Sequence, residues 1–156
     1  MGKSDYVKYD LSKLMESSNN LIISNGLLNK DDITSFSITN NGDLKRIAIG
    51  NDCYGKVRVL NLDGLSELES VVIGQRSFTV EKSDYGIIHL EDGTDGSCRI
   101  VNCPKLKTIQ IGGNSFGDYH SIELNSLPST QSIEINGFSF FWAPSFSLTG
   151  LIEGLV

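Results

Sequence analysis

The feature that most restricts how this chain can fold is a repeat of 24 residues. The pattern Leu-x-x-Ile-x-Ile-Gly occurs as Leu44-Lys-Arg-Ile47-Ala-Ile49-Gly50, Leu68-Glu-Ser-Val71-Val-Ile73-Gly74 and Leu106-Lys-Thr-Ile109-Gln-Ile111-Gly112, with a degenerate fourth copy, Thr130-Gln-Ser-Ile133-Glu-Ile135-Asn136. Four residues after each Gly or Asn stands an aromatic, Tyr54, Phe78, Phe116 or Phe140, preceded by a small residue, Cys53, Ser77, Ser115 or Ser139. The period of 24 holds from Ile49 to Ile73 and from Ile111 to Ile135, whereas Ile73 to Ile111 is 38, one period plus a 14-residue insertion. A second apolar series runs in step: Phe36/Ile38, Leu60/Leu62, Cys98/Ile100, Ile122/Leu124 and Phe146/Leu148.

Both series alternate apolar and polar residues, the period-2 signature of short strands, and they are separated by Gly, Asn, Asp and Ser. A period this short cannot bury its own apolar face. Stacked copies can, because like strands then align into parallel sheets around a continuous core. The spacing therefore predicts a β-rich solenoid of about five coils. One inward ladder contains Ile47, Val71, Ile109 and Ile133, and another Ile38, Leu62, Ile100, Leu124 and Leu148. The recurrent Gly suits positive φ or close backbone approach, and the aromatic fills a corner of each coil. Residues 1–32 read as an N-terminal cap. Asp10 suits an N-cap and Leu11, Leu14 and Met15 share a helical face, so a capping helix is expected over about 10–18, followed by a first strand at Leu21–Ile23. Residues 33–156 form the solenoid, with the insertion at about 79–97.

Leu65-x-x-Leu68-x-x-Val71-x-Ile73-Gly74-x-x-Ser77-Phe78 and its relatives resemble the leucine-rich repeat superfamily, specifically its BspA-like type, over about residues 33–151. That resemblance implies a leucine-rich-repeat-like solenoid with two parallel sheets of short strands that binds proteins and brings no catalytic residues. The function expected from it is a non-catalytic interaction scaffold. The alternative is a structural subunit that self-associates end to end into oligomers or filaments.

Chemistry-bearing patterns are sparse. The two histidines, His89 and His120, belong to no hydrolase or metalloprotease motif, and no glycine-rich loop has nucleotide-binding spacing. No enzyme activity, cofactor or metal is expected. Glu91-Asp92-Gly-Thr-Asp95-Gly in the insertion sets three carboxylates among glycines, loosely like a calcium loop but without the closing bidentate Glu. It reads as an acidic turn, with a partner-contacting loop and a metal site as alternatives. A net charge of −6 without a basic cluster argues against nucleic acid, and no apolar run is long enough to span a bilayer. The partners expected are proteins, including copies of this chain. Three cysteines without C-x-x-C spacing, no Asn-x-Ser/Thr sequon and no apolar leader suggest a cytoplasmic protein, exported only if a leader is missing.

The outward columns of the first series supply candidate partner-binding residues, Arg46, Ser70, Val72, Thr108, Gln110, Ser132 and Glu134, joined by Tyr85 and His89 of the insertion. Near the C-terminus, Phe138, Phe141, Trp142, Leu151 and Leu155 exceed what one corner can hide and are candidates for an end interface.

Overall fold

The computed structural model describes residues 15–17, 19–79, 96–117, 119–137, 139–140 and 145–151. Eleven strands are present among them: β1 (Met15–Ser17), β2 (Asn20–Ile23), β3 (Ser35–Thr39), β4 (Arg46–Ile49), β5 (Val59–Asp63), β6 (Ser70–Ile73), β7 (Gly96–Val101), β8 (Thr108–Ile111), β9 (Tyr119–Leu127), β10 (Ser132–Ile135) and β11 (Ser145–Leu151). They form a β-solenoid with two sheets, ordered β1-β2-β4-β6-β8-β10 and β11-β9-β7-β5-β3. Successive coils pair parallel and in the register given by the repeat: Ile47 lies beside Val71, Val71 beside Ile109 and Ile109 beside Ile133. In the second sheet Ile38, Leu62, Ile100, Leu124 and Leu148 form the corresponding ladder. The bends between sheets are held in the same way, as Glu69 N donates to Lys45 O, Lys107 N to Glu69 O and Gln131 N to Lys107 O at 2.7–2.9 Å.

The core lies between the sheets. Alternation gives β3 and β5 one buried residue in every two, and Ile47, Val71, Ile109, Ile100 and Leu124 are fully buried. The corner aromatics form one continuous stack: Tyr54–Phe78 at 5.1 Å, Phe78–Phe116 at 4.8 Å and Phe116–Phe140 at 4.7 Å between ring centroids, with interplanar angles of 17°, 3° and 5°. All four residues have positive φ, between 52° and 55°. A left-handed backbone costs a non-glycine residue roughly 1–2 kcal/mol, which the buried, stacked ring must offset at each coil.

The recurrent glycine serves close approach. A Cβ on Gly74 would lie 2.6 Å from the Gly50 carbonyl carbon, and one on Gly112 would lie 2.6 Å from the Gly74 carbonyl carbon. The small residue before each aromatic links coils through its hydroxyl. Ser77 Oγ accepts from Cys53 N and donates to Gly50 O, and Ser115 Oγ accepts from Ser77 N and donates to Gly74 O. Ser139 Oγ donates to Gly112 O. Thr130 replaces the leading Leu of the fourth copy and remains buried because its hydroxyl donates to Leu106 O at 3.1 Å.

The N-terminal cap differs from the expected helix. Residues 10–14 and 18 lie outside the described residues, but Met15–Ser17 is a strand paired antiparallel with β2. The outer edge of β2 would otherwise expose unpaired backbone groups, and a hairpin through Asn19 covers it where a helix would not. At the insertion, Thr79 is buried, and Gly96 and Ser97 already belong to β7. Residues 80–95, with Tyr85, His89 and the acidic turn, lie outside the described residues.

Candidate functional site

The proposed partner-binding columns come together on the outer face of the six-stranded sheet. Arg46, Ser70, Thr108 and Ser132 stand side by side in register, and Ala48, Val72, Gln110 and Glu134 form the next column. Arg46, Gln110, Ser132 and Glu134 are exposed, while Ser70, Val72 and Thr108 are half-buried. Gln110 Nε2 donates to Glu134 Oε2 at 3.4 Å and Asn136 Nδ2 to Glu134 Oε1 at 3.3 Å, so the only carboxylate in these columns is already engaged. The face is flat and mildly polar, with one arginine of the kind that anchors protein interfaces.

The stronger electrostatics lie on the other sheet. Arg99 donates to Asp63 Oδ2 at 3.0 Å, to Glu123 Oε2 at 2.9 Å and to Asn61 Oδ1 at 3.4 Å, while Asn102 Nδ2 donates to Asp63 Oδ1 at 2.9 Å. The hydrogen bond from Asp63 and the neighbouring carboxylates hold the Arg99 guanidinium still more firmly protonated than usual. Arg76 makes a two-point contact with Asp52, 2.9 Å for each bond, and Lys105 pairs with Glu67. The Lys105 hydrogen bond lowers the Glu67 carboxyl below its ordinary value. These pairs join different coils, and at such exposure each contributes about 0.2–1 kcal/mol. Their role is to select register. Val101, by contrast, occupies an outward position on this sheet yet is buried.

The thiols are unsuited to nucleophilic chemistry. Cys53, Cys98 and Cys103 are free and buried; desolvation pushes the Cys103 thiol up to about 11 and that of Cys98 higher. No group of three or more metal-ligating side chains occurs among the described residues.

The end-interface candidates divide. Phe138, Phe141, Trp142 and Leu155 lie outside the described residues, whereas Leu151 belongs to β11, beside Leu127 of β9. Next to it is an element that sequence reasoning left unnamed, the last coil itself. Ile133, Ile135 and Leu148 pack on the core but remain partly exposed, whereas their counterparts one coil earlier, Ile109, Ile111 and Leu124, are fully buried. The inward ladders that contain Ile133 and Leu148 already carried this signal.

The chain is thus a β-solenoid whose buried polar groups and corner residues serve coil-to-coil packing. Its similarities lie with the outer capsid glycoprotein VP7 of rotavirus A. It is 27% identical to that of a bovine isolate from Thailand over 166 residues, covering 96% of this chain and 49% of the relative. It is 25% identical to that of a porcine strain from Mexico, covering 96% and 51%, and 26% identical to that of a porcine strain from Russia, covering 94% and 48%. The chain therefore spans about half the length of the curated relatives it matches. No family model and no solved structure matches it.

These similarities correct two expectations. The leucine-rich-repeat interaction scaffold is overturned, because the relatives are structural proteins of a virion's outer capsid. The cytoplasmic location is overturned on the same finding. Physically, an internal repeat dictates how a coil is built and says nothing about what the finished solenoid joins or where it works.

Proposed function

We propose that this chain is a non-catalytic structural subunit that self-associates through an end of its solenoid, as a component of a protein shell. The observation that carries this reading is the last coil, where Ile133, Ile135 and Leu148 are left half-covered beside β10 and β11, each with one strand neighbour among the described residues. An apolar patch next to unpaired backbone donors and acceptors is a template for further pairing. The similarity to outer capsid glycoproteins supports the same class of role, with protein as the partner. In this reading the acidic surface keeps nucleic acid away, and no bilayer or cofactor is needed. The resemblance to leucine-rich repeats enters only as a way of building coils.

Sedimentation velocity over a concentration series tests the proposal. The wild-type chain should associate with rising concentration, and Ile135→Lys should remain monomeric with an unchanged far-UV spectrum. A wild type that stays monomeric into the high micromolar range refutes it.

A further inference from the structure

The two ends of the solenoid are built differently. At the first coil, Leu21, Ile23, Phe36 and Ile38 are between 1% and 4% exposed, and β1 occupies the outer edge of β2. At the last coil the equivalent side chains are partly exposed, and the two sheets end level, with β10 last in one and β11 last in the other. Proteins protect such edges with charge, proline or a bulge. β11, Ser-Phe-Ser-Leu-Thr-Gly-Leu, has no charged residue and no proline, and β10 carries a single charge, Glu134.

We propose that the occupant of this end is a second copy of the same chain, docked through an isologous two-fold contact in which β10 runs antiparallel to its counterpart and β11 to its own. This rests on the self-association reading and states its symmetry. Head-to-tail growth would set the open end against a closed one, whose apolar side chains are already covered and whose β2 edge is already paired. A two-fold contact sets open end on open end, covers Ile133, Ile135 and Leu148 of both copies, and extends both sheets at once because they end level. The product is a closed dimer, not a filament.

Chemistry then selects the register. Pairing must keep inward residues opposite inward residues, since a one-residue slip would turn every side chain over. One such register sets Glu134 opposite Glu134 of the other copy, and like charges directly opposite destabilise a strand pair. Its neighbour sets Ile133 opposite Ile133 and Ser132 opposite Glu134, so that each carboxylate faces a hydroxyl able to donate to it. The second register is the one assigned.

The test combines mass with crosslinking. Light scattering across a concentration series should show the mass rising from 17.1 kDa to a plateau at twice that value. An equimolar mixture of Ser132→Cys and Glu134→Cys should form an intermolecular disulfide under mild oxidation in several-fold higher yield than either variant alone; both positions are exposed, and the native thiols are buried. Masses that keep growing beyond the dimer overturn the two-fold contact while leaving self-association standing. A dimer without the preferential mixed disulfide overturns the proposed register and, with it, this contact. A monomer at every concentration overturns the self-association reading itself.

Discussion

Replacing Phe116 by Ala measures how much the aromatic column holds the coils together. Phe116 is fully buried and touches three rings: Phe78 stacked at 4.8 Å, Phe140 stacked at 4.7 Å, and Tyr119 edge-on at 4.8 Å and 87°. Truncating a buried Phe to Ala costs roughly 3–5 kcal/mol through lost transfer energy and the cavity left behind. Each ring pair adds about 0.5–1.5 kcal/mol beyond area, and three pairs are lost, so the upper end applies: about 5 kcal/mol. For a chain of this size each kcal/mol lowers Tm by about 2–4 °C, giving a drop of roughly 10–20 °C by circular dichroism. Phe140 has the same backbone conformation but is stacked on Phe116 alone among the described rings and is 8% exposed, so Phe140→Ala should cost less than half as much. Phe116→Gly separates ring from backbone. It loses the same contacts but relieves φ of 54°, so it should be more stable than Phe116→Ala by about 1 kcal/mol. If Phe116→Ala costs under 1 kcal/mol, or no more than Phe140→Ala, the stack is an accident of coil spacing and the argument fails.

Ile109→Asp should abolish cooperative folding, because its inward position offers an unpaired carboxylate no solvent, whereas Gln110→Asp on the exposed face should shift Tm by only a few degrees; equal stability of the two would refute the register. Tyr54→Phe should stabilise the protein by about 1 kcal/mol in urea titration, since the Tyr54 hydroxyl is buried with no hydrogen-bond partner and the next three rings of the column are Phe; a loss of stability would show that this oxygen is satisfied. Native Cys98 and Cys103 should resist iodoacetamide at pH 8 and react once the chain is unfolded. Burial raises both thiols above the ordinary value, so the unfolded state loses its thiol protons first; stability should be intact below about pH 8.5 and fall as pH rises through about 11, the Cys103 value. A Tm independent of pH over that interval would contradict the burial of these thiols.

The period alone places ten of the strands, because any stack of 24-residue coils must bring Ile47, Val71, Ile109 and Ile133 together. The N-terminus shows where such reasoning stops. Leu11, Leu14 and Met15 have helical spacing, yet Met15–Ser17 is a strand, since the demand comes from the unpaired edge of β2 and not from local preference. The backbone of the corners was equally hidden. Asp52, Arg76 and Asn114 all have positive φ, as do the aromatics two residues later, and no propensity scale assigns left-handed backbone to Arg or Phe. Only the stack, a property of several coils at once, accounts for it.

The candidate site is less legible for a related reason. Asn61, Arg99 and Glu123 can be seen to share a column once the insertion is subtracted, but that Arg99 closes on Asp63 and Glu123 together, at 3.0 and 2.9 Å, depends on side-chain reach across three coils. The same pairing decides where function can lie. Along the flanks the strong charges largely satisfy one another: Arg99 with Asp63 and Glu123, Arg76 with Asp52, Lys105 with Glu67. A ligand approaching a flank would have to break such pairs and would gain little apolar area in return. Affinity between proteins needs a patch that can be desolvated without stranding charge. The last coil offers one, with Ile133, Ile135 and Leu148 half-covered and a single carboxylate on β10. A solenoid evolved to bind along its face would concentrate aromatics and arginines in the outward columns. This one keeps its aromatics in the corners and leaves its partly covered aliphatic side chains at the end, the distribution expected of a part made to be joined.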